Sequence, residues 1–221
     1  MKKNMAVIGI GRFGLSLVKT LSTLNTEILT IDISEEVLKA ASPYSDKEAI
    51  CDTTKIDGLR DLGVSGYDVV IVSIGNNIHA TIMTTINLVE LGVREIVVRV
   101  DNSEYAQVLR KLGATKVIIP EEQSAVSYAH QLASINFNDY YDIKGDYGIV
   151  EMKIPEKFEK KTLMDLDIRN KHNVNIVGII RNGKFFIPKG TDEVLPLDNI
   201  LIVGADTDLN KFSEIVNENR V

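Results

Sequence analysis

Six residues near the N-terminus, Gly9-Ile10-Gly11-Arg12-Phe13-Gly14, follow the apolar run Met5 to Ile10 and open an amphipathic stretch. Glycines at this spacing meet three steric needs. Gly9 permits a tight turn, Gly11 lets the backbone approach a phosphate with no Cβ in the way, and Gly14 allows close helix–strand packing. A helix beginning near Arg12 aims its first N–H groups and its positive dipole end at an anion. Asp32 follows Gly14 by eighteen positions. It is placed to accept hydrogen bonds from ribose hydroxyls, and its charge disfavours a 2′-phosphate. Arg12 lies inside the loop, where a planar, permanently charged guanidinium suits the terminal phosphates of a mononucleotide. Each such charge-assisted bond contributes about 1.5–3 kcal/mol.

Further candidates stand beyond later apolar runs. Ile33 neighbours Asp32, while Asp52 and Thr53 are placed beside a purine base. Asp52 equally suits a cap for the stretch beginning near Lys55. Ser73-Ile74-Gly75-Asn76-Asn77 offers small residues and amides for the opposite wall. Arg99 and Glu121 share the same sheet edge. A carboxylate beside a polyphosphate is repulsive unless a cation bridges them, which makes Glu121 the candidate metal ligand. Taken alone, Glu121 is an acid favoured by a helix N-terminus.

The elements that must hold these residues are legible as strand–helix units. Strands are expected at Met5 to Ile10, Ile28 to Asp32, Glu48 to Cys51, Asp68 to Ile74, Glu95 to Val100 and Lys116 to Ile119. Their apolar runs alternate little, as in a parallel sheet buried on both faces. Phe13, Leu17, Leu21 and Leu24 recur on one face of the first helix. Leu62-Gly63, Leu91-Gly92 and Leu112-Gly113 each place a glycine after a helical run, as a left-handed C′ residue requires. Glu121 to Ile135 is expected to be helical, and Asn136 to Tyr141 to connect or cross over. The aromatics of that segment serve either an exposed patch facing a second copy or ordinary packing.

From Tyr147 the pattern changes to Gly148 to Ile154 (strand), Leu163 to Lys171 (helix) and Asn173 to Arg181 (strand). Asn182-Gly183 then signals a hairpin leading into Lys184 to Ile187. Ile200 to Val203 adds a strand, and Asp206 is placed to cap a last helix carrying Leu209, Phe212, Ile215 and Val216. The expected architecture is a doubly wound parallel α/β sheet of Rossmann type followed by a small α+β module. The corresponding domains are 1–135, a linker over 136–145, and 146–221.

Bulk properties bound the function. A formal net charge of −6 over 221 residues argues against a binder of nucleic-acid polymers. The lone cysteine, Cys51, forms no intramolecular disulfide and fits a reducing cytoplasm. Apolar runs such as Val69 to Ile74 are strand-length and far short of a membrane span. An NAD-dependent oxidoreductase is the competing class. It needs a proton donor or acceptor beside a substrate, and His79, His130 and His172 each stand on an element where a surface or structural role is expected.

The glycine motif with its embedded Arg-Phe, Cys51-Asp52-Thr53-Thr54, residues 72 to 77, Val98-Arg99 and Ile119-Pro120-Glu121 together resemble the RCK domain. Leu166 to Lys171, Asn175-Ile176-Val177 and Asp198 to Gly204 resemble that family's C-terminal subdomain. The similarity runs end to end and is greatest to the cytosolic subunits of Ktr- and Trk-type potassium uptake systems. Leu15 departs from it, standing where a glycine is often found. The resemblance implies a regulator, not an enzyme: homodimers assembled into an octameric ring beneath a membrane-embedded potassium-translocating subunit. It implies ATP or ADP, or in some relatives NAD or NADH, in the N-terminal subdomain. Arg12 would contact the phosphates and Glu121 would help hold Mg2+, Ca2+ or Na+ near ATP. It further implies cyclic di-AMP between two C-terminal subdomains, with Arg169 at a phosphate, Asn175 at a base edge, and Ile168, Ile176 and Pro188 at the base faces. The protein is then cytoplasmic, peripheral at the inner membrane face through its partner.

Overall fold

The computed structural model describes residues 2–75 and 77–218. It divides into two compact units, Met1–Glu121 and Glu122–Val221. In the first, β1 (Lys3–Ile8), α1 (Arg12–Ser22), β2 (Thr26–Asp32), α2 (Glu35–Ala41) and β3 (Lys47–Ile50) come first. They are followed by α3 (Ile56–Asp61), β4 (Val69–Val72), α4 (Ile78–Glu90), β5 (Ile96–Arg99), α5 (Ser103–Lys111) and β6 (Lys116–Ile118). The strands form one sheet in the order β3-β2-β1-β4-β5-β6, and all neighbours run parallel. The chain winds outward to β3, then returns across β1 to β4. A crevice therefore opens at the carboxyl ends of β1 and β4.

Both faces of the sheet are buried, which is why its strands are nearly continuous apolar runs. Ala6, Ile8, Leu29, Ile31, Val70 and Val72 pack with Leu59, Leu88 and Leu109. The alternate residues Val7, Ile28, Val69 and Ile71 pack with Val18, Leu21 and Leu38. A one-residue slip of any strand would exchange these sets. Gly63, Gly92 and Gly113 adopt φ of 64°, 76° and 109° after α3, α4 and α5, as expected of C′ glycines.

The buried line of α1 is Gly14, Val18 and Leu21 rather than the expected Phe13, Leu17, Leu21 and Leu24. Leu24 lies past the last turn and is 57% exposed. Gly14 shifts the contact line, because only a residue without a Cβ can sit where a Cβ would come within 2.1 Å of the Gly9 carbonyl oxygen.

In the second unit, α6 (Pro120–Ala133) precedes β7 (Phe137–Asp142), β8 (Tyr147–Lys153), β9 (Lys161–Thr162), α7 (Leu163–Leu166) and α8 (Ile168–His172). Then come β10 (Asn175–Arg181), β11 (Lys184–Phe186), β12 (Glu193–Val194), β13 (Asn199–Ala205) and α9 (Asp206–Asn217). The main sheet has the order β11-β10-β13-β8-β7 and is antiparallel, with β12 and β9 paired separately. Asn182 and Gly183 have φ of 52° and 73°, as the hairpin signal requires.

Several expectations are corrected here. The segment 136–145 is not a linker: Phe137–Asp142 is an edge strand paired with β8. The division falls at Glu121/Glu122 instead of 135. Most of α6 belongs to the second unit, where Ser127 Oγ donates to the Tyr140 carbonyl at 2.6 Å and His130 stacks on the Tyr140 ring at 3.8 Å. Phe137 and Tyr140 are buried, so for them the packing role holds, while Tyr141 is exposed. The helix expected over Leu163 to Lys171 is two short helices broken at Asp167, whose φ is 45°. Asp206 is not a cap: Ala205 takes that position, and the Asp206 carboxylate accepts from the Tyr140 hydroxyl at 3.0 Å.

Candidate functional site

The crevice carries a cavity of about 270 Å³ lined by the ends of β1 to β4 and the start of α4. Gly9, with φ of 86°, turns the chain out of β1. Its N–H continues the sheet by donating to the Ile31 carbonyl at 2.8 Å. A Cβ on Gly9 would meet the Ser73 carbonyl at 2.7 Å, whereas one on Gly11 would meet nothing within 4 Å. Gly11 thus faces open space, as a ligand approaching the backbone needs. It is also the N-cap of α1, and among the described residues no side chain caps that helix and no acid stands in its first turn. The first intrahelical bond is Leu15 N–H to the Gly11 carbonyl at 2.9 Å. The preceding amides, including those of Arg12, Phe13 and Gly14, are left for an anion.

Asp32 and Ile33 line the cavity at the end of β2. The Asp32 carboxylate already accepts from Ile10 N–H (2.7 Å) and Ser34 N–H (2.9 Å), and each oxygen keeps a lone pair for a ribose hydroxyl. Asp52 and Thr53 follow β3 into the same wall. Asp52 does not cap α3, whose N-cap is Lys55. It accepts from the hydroxyl and backbone N–H of Thr54 at 2.6 and 3.2 Å, which holds its carboxyl below the usual range. Thr53 is fastened from behind by Thr84 Oγ1 at 2.7 Å and by Asn87, which donates to its carbonyl at 3.0 Å.

Across the crevice, Ile74 and Asn77 line the cavity. Asn77 caps α4, accepting from Ala80 N–H at 3.0 Å, and Gly75 takes φ of 65°. Asn76 lies outside the described residues. Ser73 does not line the cavity. It is buried, and its hydroxyl donates to the Gly9 carbonyl at 2.6 Å. The sequence reading missed Ile8, Cys51, Thr54 and Ala80, which complete the wall. Cys51 stands beside the predicted Asp52, and burial followed by Asp52 and Asp61 pushes its thiol pKa up, so it stays protonated at neutral pH.

Arg99, whose side chain is 12% exposed, forms an ion pair with Glu121. Its Nε is buried and has no hydrogen-bond partner among the described residues. The Glu121 carboxyl is held below its ordinary range first by its own backbone N–H at the head of α6, then by Arg99 and the more distant Arg12. The helix-terminus role thus describes Glu121 better than a resident metal site does. Among the described residues no three His, Cys, Asp or Glu side chains gather to hold a metal ion. Two guanidiniums around a lone carboxylate do not fit one.

In the second unit, Ile168, Arg169, Asn175 and Ile176 line a small hollow of about 110 Å³. Asn175, Ile176 and Pro188 line an open one of about 500 Å³. The two share Asn175 and Ile176, together with Leu163 and Met164, which carried no sequence signal. Ile168 and Ile176 are buried, Pro188 is half-buried, and Arg169 and Asn175 are exposed.

Comparison with known proteins bears on this geometry. The TrkA-N domain model matches residues 5–120 and the TrkA-C domain model residues 149–217. The chain is 39% identical over 217 residues to Ktr system potassium uptake protein C of Bacillus subtilis (strain 168), covering 98% of each protein. The chain belongs to the TrkA-N/TrkA-C family. Another relative of this TrkA-family chain is Ktr system potassium uptake protein A of the same organism, 36% identical with 95% of each protein covered. Its fold is shared with the crystal structure of the GsuK RCK domain at TM-score 0.69 and 17% identity. That match covers 98% of the TrkA-family chain and 48% of the longer chain. Among the described residues no helix is long and apolar enough to cross a membrane.

Proposed function

We propose that this protein is the nucleotide-sensing regulatory subunit of a Ktr-type potassium uptake system, binding ATP and ADP in the first unit. Its relatives are potassium uptake proteins, not oxidoreductases, and the reading is regulatory. The observation that carries it is one crevice at the sheet's carboxyl edge. Its cavity is lined by Gly9 and the Asp32 carboxylate; α1 starts uncapped at an open Gly11, and the Arg99 and more distant Arg12 guanidiniums act on Glu121. Asp32 offers its free lone pairs to ribose hydroxyls, and Ile33, Asp52, Thr53 and Ile74 surround the base. The α1 amides and Arg12 hold the phosphates. A terminal phosphate gives Arg99 a second anion to pair with, so ligands differing in phosphate number make different contacts around Glu121. That difference is what a regulator must convert into a change of population between assembly states.

The second unit takes cyclic di-AMP in this reading. A twofold-symmetric ligand with two phosphates suits a patch presented twice by two copies. Arg169 meets a phosphate, Asn175 a base edge, and Ile168, Ile176 and Pro188 the base faces. The working assembly is an octameric ring of dimers docked on a membrane-embedded potassium-translocating subunit. The test is potassium or rubidium uptake in cells lacking their own systems and supplied with that subunit. Uptake that rises when the protein is co-expressed, and drops with Arg12→Ala, supports the reading. Uptake indifferent to the protein overturns it.

A further inference from the structure

The peptide unit joining Gly9 to Ile10 is held at both of its polar atoms. Its carbonyl accepts from the Ser73 hydroxyl at 2.6 Å, and its N–H donates to Asp32 Oδ2 at 2.7 Å. The two side chains come from opposite sides of β1: Asp32 ends β2, and Ser73 follows β4. Ser73 is itself fixed, since its N–H donates to the Ile8 carbonyl at 2.7 Å and its side chain is buried. Space around the clamp is closed. A Cβ at Gly9 would meet the Ser73 carbonyl at 2.7 Å, and one at Gly14 would come within 2.8 Å of Ser73 Oγ.

We propose that Ser73 is a positioning residue for the phosphate loop, acting with Asp32 to fix the plane of the Gly9–Ile10 peptide. This rests on the nucleotide reading above. Ser73 touches no ligand. Rotation of this peptide would swing Gly11 and the start of α1, so the clamp sets where the phosphate-binding amides point before a nucleotide arrives. Such preorganisation lowers the ordering cost of binding. It acts on the phosphates and leaves the nucleoside end of the pocket alone, because Ser73 is absent from the wall that receives base and ribose.

The test uses the full chain with Ser73→Ala, which removes one hydroxyl and adds no bulk. Calorimetry should show ATP weakened about tenfold, the upper range for one hydrogen bond. Adenosine should change by no more than about twofold, so the ratio of the two affinities falls. A purely structural role would weaken both ligands together and leave the ratio unmoved. In the ligand-free protein, exchange of the Ile10 amide should quicken about tenfold with Ser73→Ala while the β1 amides stay protected. An unchanged ATP-to-adenosine ratio, or unchanged Ile10 exchange, overturns the clamp. Failure of wild-type protein to bind ATP instead removes the nucleotide reading, and the exchange measurement still decides the clamp.

Discussion

At the scale of single residues, the site is a division of labour that substitution can separate. Arg12→Ala should weaken ATP about tenfold or more, since a charge-assisted phosphate bond contributes about 1.5–3 kcal/mol. Adenosine should hardly change; equal losses in calorimetry would remove Arg12 from the phosphates. Asp32 holds Ile10 and Ser34, and in the proposed function it also offers lone pairs to ribose. Asp32→Ala should lower affinity for every ribose-bearing ligand, and unchanged affinity would take it out of the site. The steric roles of Gly9 and Gly14 were legible because each depends on residue type at a fixed spacing. The role of Ser73 was not. Whether a serine after β4 lines a cavity or braces a loop depends on which way its hydroxyl points, and the register of β1 against β4 sets that.

At the scale of elements, legibility followed burial. The parallel strands are continuous apolar runs because both faces are covered. β7 was missed because a register shift between Phe137 and Asp139 puts its buried residues, Phe137 and Tyr140, three apart, which defeats the alternation that marks a strand. Paired strands of two residues, such as β9 and β12, carry no periodicity at all. Tyr140 joins α6, β7 and α9, and burial with Asp206 raises its pKa to about 12 from 10.0. The neutral phenol is favoured in the folded state, so its contribution is fully present below the unfolded pKa. It is lost as pH rises through the folded one. Stability should therefore fall between about pH 10 and 12 by more in wild type than in Tyr140→Phe, whose ring keeps the packing but cannot ionise. Denaturant melts across that range check this. Identical pH dependence in the two proteins would contradict it.

At the scale of the whole molecule, the regulatory account needs an assembly in which nucleotide state alters shape. The unit boundary at Glu121/Glu122 places the Arg99–Glu121 pair at the end of the first unit, where α6 begins. Sedimentation of the purified chain should show eight copies of 24.5 kDa, with different frictional behaviour in ATP and ADP. A monomer in both would contradict the ring. The family and the two-part architecture were legible from motif order along the chain, but the boundary was not, because α6 has no buried residue to announce which unit it serves. The most direct test of the central claim is calorimetric titration of the purified chain with ATP, ADP, NAD, NADH and cyclic di-AMP. Saturable binding of ATP and ADP, abolished or much weakened by Arg12→Ala, is the predicted result. Heat changes no larger than dilution for every one of these compounds would contradict it.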